Sequence, residues 1–81
     1  MEEILKRIQT LQIRALHKNI NCDVSLSLTA AEPYIEVRLN YFRVDDIEEQ
    51  RVLNTKLILG SNSALITKKI KSIEKFINDI E

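Results

Sequence analysis

His17 and Cys22 are the only imidazole and the only thiol in this 81-residue chain, so covalent or acid–base chemistry would have to begin with them. A nucleophilic pair needs both groups within hydrogen-bond reach and a donor set for the developing oxyanion. The helical spacing around His17 puts it on a polar face. Cys22 instead opens an alternating run whose apolar members are Val24, Leu26 and Leu28. The pattern therefore predicts a separated pair, with Cys22 acting as a small buried hydrophobe. One Cys cannot form a disulfide within the chain, and one His with one Cys cannot close a zinc site. Asp45, Asp46, Glu48 and Glu49 lack the D-x-D-x-D-G pattern of a calcium loop. They read as a solvated hairpin loop, or as an acidic patch that steers a basic partner. Gly60-Ser61-Asn62-Ser63 lacks the spacing of a phosphate-binding loop and reads as helix capping by Ser61 or Ser63. No set of nucleophile, base and orienting group emerges. The expectation is a protein that is not an enzyme and carries no cofactor, metal or catalytic residue.

Two surfaces have the composition of a binding site. In the alternating run from Tyr34, the residues Tyr34, Glu36, Arg38 and Phe42 share one face, and Lys56 lies on the matching face of the next run. Aromatic and arginine side chains together are the composition that interface cores favour. The plain alternative is a solvated face with two isolated aromatics. Ile13 joins the protein-interface candidates because it lies, like Ile20, off the main apolar stripe of the first helix, which makes the apolar arc broader than one sheet contact needs. The second surface is a lysine row, Lys68, Lys71 and Lys75, at i, i+3, i+7 on the last helix, with Arg14 and Lys18 as basic residues on the first. Such a row can follow a phosphate backbone, although charge on an amphipathic helix more often only solvates it.

These residues must be positioned by five elements. From Glu2 to about Asn19, Ile4, Ile8, Leu11 and Ala15 mark a helical stripe, widened by Leu5 and Leu16, while Lys6, Arg7, Thr10, Arg14, His17 and Lys18 take the opposite face. At Asn21 the period changes from 3.6 to 2. Cys22, Val24, Leu26 and Leu28 form the inward set of a first strand. After Ala30-Ala31-Glu32-Pro33, a second strand turns Ile35, Val37, Leu39 and Tyr41 inward. A third, about Arg51 to Leu59, turns in Leu53, Thr55, Leu57 and Leu59. The last helix buries Leu65, Ile66, Ile70, Ile73, Phe76, Ile77 and Ile80. Short connections predict an antiparallel three-stranded meander. The expected fold is α+β, in the order α-β-β-β-α, one domain over 1–81, with both helices on one sheet face.

That order resembles the architecture of the double-stranded-RNA-binding domain. The segment Gly60-Ser61-Asn62-Ser63-Ala64-Leu65-Ile66-Thr67-Lys68-Lys69 departs from that family, whose lysines stand at the very start of the last helix. The turn Ala30-Ala31-Glu32-Pro33 is acidic where that family needs a basic loop. The resemblance is one of architecture, and fold does not imply function.

Twelve basic and twelve acidic residues cancel, which removes the basic excess usual in nucleic-acid binders. The acidic start Met1-Glu2-Glu3 does not read as a signal peptide, and no stretch approaches the ~20 apolar residues of a membrane span, so the expectation is a cytoplasmic location. The Ile-, Lys- and Asn-rich composition suits AT-rich genomes, including those of phages and mobile elements. The functional expectation is protein–protein interaction or assembly, as adaptor, inhibitor or homo-oligomer subunit. Nucleic-acid binding through the lysine row is the alternative.

Overall fold

The computed structural model describes residues 2–44 and 48–80. Its elements are α1 (Glu2–His17), β1 (Asn21–Ser27), β2 (Tyr34–Arg43), β3 (Glu49–Ile58) and α2 (Ser63–Asp79). The α-β-β-β-α order and the antiparallel meander β1-β2-β3 agree with the periodicity. Asp45, Asp46 and Ile47, part of the acidic segment, lie outside the described residues, while Glu48 is exposed and Glu49 begins β3.

α1 ends two residues earlier than its apolar pattern suggests, for a local reason. Asn19 takes a left-handed φ of 60°. The Ile20 amide then donates to the Ala15 carbonyl (2.9 Å) and the Asn19 amide to the Leu16 carbonyl (3.1 Å). These are the two bonds of a Schellman motif, whose accompanying apolar contact is supplied by the buried Ala15 and Ile20. Ile20, off-stripe by helical spacing, enters the core because it is no longer helical. At the other end of the chain, Asn62 caps α2, rather than Ser61 or Ser63: its side chain accepts from the Ala64 amide at 2.8 Å. The Ser61 hydroxyl donates to the Ile58 carbonyl instead (2.6 Å).

One core joins both helices to one sheet face. Ile8, Leu11 and Ala15 of α1 and Ile66, Ile70, Ile73 and Ile77 of α2 meet Ile35, Val37, Leu39 and Leu57. β2 supplies three of these because it is the central strand, flanked by β1 and β3. α1 lies over β1, α2 over β3, and the helices touch each other. Four expected core residues are exceptions, the first being Leu16, whose spacing widens the core stripe of α1 but whose side chain is largely exposed. Leu26 and Leu28 are more than half exposed, because β1 is an edge strand and alternation specifies a face without guaranteeing a cover. Leu65, in the first turn of α2, is half exposed. No helix among the described residues is long and apolar enough to cross a membrane.

Candidate interaction surfaces

The open sheet face does not gather its candidates into one site. Tyr34 sits at the start of β2, paired with Ile58, and Phe42 near its end, paired with Gln50. Eight residues of extended chain separate them, roughly 27 Å. The Tyr34 end is satisfied internally. The Lys56 ammonium lies 4.0 Å from the Tyr34 ring centre and 3.4 Å from the Glu32 carboxylate. The Arg38 guanidinium donates to Glu36 at 2.7 and 2.9 Å. Phe42 differs: β1 pairs only as far as Asn40, so Phe42 stands on a two-stranded extension of the β2–β3 hairpin. Val44 follows on the same alternation and Val52 lies one diagonal away, all three more than half exposed.

The basic candidates also divide. Lys68, Lys71 and Lys75 are exposed on the outer face of α2, where Lys68 and Lys71 border a shallow depression with Ser63, Ala64 and Thr67. Arg14 and Lys18 belong to the seam between the helices. Arg14 donates to the Asn78 amide oxygen, and the Lys18 ammonium donates to the carbonyls of Ile77 (2.9 Å) and Ile80 (2.7 Å). A cation on the last carbonyls of a helix satisfies orphan acceptors and opposes the negative end of the dipole. Arg7 completes the seam with Glu74 at 3.3 Å. The flank of α1 expected to face solvent thus carries the helix–helix contacts.

This rotation leaves the other flank of α1 uncovered, and there the sequence named only Ile13. Gln9, Gln12, Ile13 and Leu16 of α1, with Ile20, Cys22 and Asp23, line an open groove of about 700 Å³ beside β1. Ile13 is 58% and Leu16 72% exposed; further along the same edge Leu26 is 51% and Leu28 59% exposed. Gln12 reaches over the edge to donate to the Cys22 carbonyl at 3.2 Å. Helical spacing places Leu16 on the core stripe, so the one signal of an uncovered flank is the apolar arc broadened by the off-stripe Ile13 and Ile20. Leu26 and Leu28 carried none, since alternation assigns them to a core.

Cys22 is half-buried. Burial, with the Asp23 carboxylate adding to it, pushes its thiol from 9.0 to about 11, so it is protonated at neutral pH and a poor nucleophile. His17 is exposed on α1. Among the described residues, no three His, Cys, Asp or Glu side chains gather as metal ligands. In comparisons with known protein families, curated proteins and solved structures, nothing matches this chain.

Proposed function

We propose that this chain works by binding protein, as an assembly or adaptor subunit, with no chemistry of its own. One observation carries the reading. Among the described residues eight large apolar side chains are at least half exposed, and seven fall into two groups: Ile13, Leu16, Leu26 and Leu28 along the β1 edge, and Phe42, Val44 and Val52 at the hairpin end. Scattered apolar residues need no explanation, but grouped ones beside polar surroundings mark interaction sites. A small domain has little apolar surface to spare from its core, which adds weight to the grouping. The named aromatic candidate Phe42 belongs to the second group. Tyr34, Glu36, Arg38 and Lys56 serve as internal ion-pair and cation–π partners.

The competing reading is nucleic-acid binding by Lys68, Lys71 and Lys75, which are exposed on one face of α2. A photo-crosslinking side chain placed at position 16, 42 or 71 in expressing cells separates the two. Protein adducts are expected at 16 or 42 and not at 71. The protein-binding reading fails if 16 and 42 give no adduct while fluorescence anisotropy shows duplex RNA or DNA binding that weakens with salt and is lost in K71E/K75E.

A further inference from the structure

We infer that the partner at the β1 edge is a second copy of this chain, joined by antiparallel pairing of β1 with the partner's β1 into a continuous six-stranded sheet. This rests on the protein-binding reading and names its partner.

The first ground is the free edge. Among the described residues β1 has a hydrogen-bonded strand on one side only, and on its outer side only the Cys22 carbonyl takes a side chain, the Gln12 amide, which a pairing strand would displace. The second ground is charge. The seven residues Asn21-Cys22-Asp23-Val24-Ser25-Leu26-Ser27 include a single charge, and the groove above them is lined by glutamine, asparagine and apolar side chains apart from Asp23. A strand that pairs with its own copy is penalised if like charges meet. Three registers keep the same faces together near the middle of the strand. Pairing Asp23 with the partner's Asp23 opposes two carboxylates. Centring on Ser25 loses the first two residues of the ladder. Centring on Val24 pairs all seven residues and sets Asp23 against the partner's Ser25.

The third ground is shape, and it favours the same register. An isologous interface requires a surface and its complement on one chain. Centring on Val24 sets Cys22 opposite the partner's Leu26 and Ile20 opposite the partner's Leu28. Cys22 and Ile20 line the groove together with Ile13 and Leu16. Each copy therefore offers a groove at one end of β1 and, at the other end, two uncovered leucines that reach the groove of its mate. The two-fold operation fills both grooves and covers Ile13, Leu16, Leu26 and Leu28, four of the eight exposed large hydrophobics among the described residues of each chain.

Sedimentation velocity and disulfide trapping test this directly. The wild-type chain is expected to sediment as a dimer at about 100 µM, and L16K/L26K as a folded monomer, with an unchanged far-UV spectrum and a dissociation constant raised more than about 100-fold. Under oxidant, L26C is expected to form a covalent dimer through Cys22 of the partner subunit, because directly opposed residues bring their Cα atoms to ~4.5–5.5 Å, within disulfide range. L28C is expected to remain uncrosslinked. Trapping of L28C in place of L26C overturns the Val24-centred register. A dimer that keeps its mass in L16K/L26K overturns the surface. A monomeric wild type with no trapping of either cysteine variant overturns self-association, while protein adducts at position 42 would still uphold the broader binding reading.

Discussion

At the β3 edge, Lys69 of α2 reaches across to the Lys56 carbonyl, and Glu49, Arg51 and Lys56 place charge along the strand. At the β1 edge the single strand charge is Asp23, the side chain reaching over is Gln12, and the flank of α1 above it is apolar. Both are edges of one small sheet, yet one carries the charged and lysine-rich features that discourage further pairing and the other lacks them. The difference starts with how each helix is turned. α2 points its isoleucines at the sheet and its free lysines outward. α1 spends Arg7, Arg14 and Lys18 on its contact with α2, and that rotation carries Ile13 and Leu16 away from the core.

The sharpest division should appear between the two helices in urea denaturation of dilute, monomeric samples. Ile73→Ala on α2 removes a side chain that is fully buried and is expected to cost about 2–5 kcal/mol. Leu16→Ala on the open flank of α1 is expected to change stability by less than ~0.5 kcal/mol. Equal costs would mean that the α1 flank is packed and the contrast is false. Next in size is the seam that sets the rotation. Lys18→Met removes two charge-assisted bonds to the end of α2 and is expected to cost about 1.5 kcal/mol by the same measurement. An unchanged midpoint would show that the seam does not fix α1.

A smaller effect is expected at the turn joining α1 to β1. Asn19 holds a left-handed backbone, so Asn19→Gly should raise the thermal midpoint slightly, while Asn19→Val should cost roughly 1–2 kcal/mol. A stabilised valine variant would remove the strained turn from the account. The last prediction concerns pH at the β1 flank. The Cys22 thiol titrates at 9.0 when unperturbed and at about 11 in the fold. The protonated thiol is therefore favoured by folding, and that contribution is complete below pH 9 and lost as pH rises toward 11. The wild type should lose more stability than Cys22→Ala across that window, and the two should run parallel between pH 5 and 8. Divergence in the lower range would place another titrating group beside the thiol.

Sequence by itself determined the order of elements, the face of each strand in the middle of the sheet, and the inward face of α2. The reason is that side-chain period is a local property: Ile35, Val37 and Leu39 can share a face only if the chain is extended, and Ile66, Ile70, Ile73 and Ile77 only if it is coiled. It also indicated, through the wide arc from Ile8 to Ile13, that α1 had more apolar surface than one contact uses. Local reading stops where a property depends on a neighbour distant in the chain. Tyr34 and Phe42 share a face but stand at opposite ends of it, because strand length converts eight residues into a large separation. Lys18 belongs to α2 through carbonyls some sixty residues away. Leu26 alternates as a core residue should and pairs with Ile35 of β2, yet lies open because β1 is an edge strand with no strand beyond it among the described residues. Periodicity states which way a side chain points, and only the assembled tertiary structure states what, if anything, it points at.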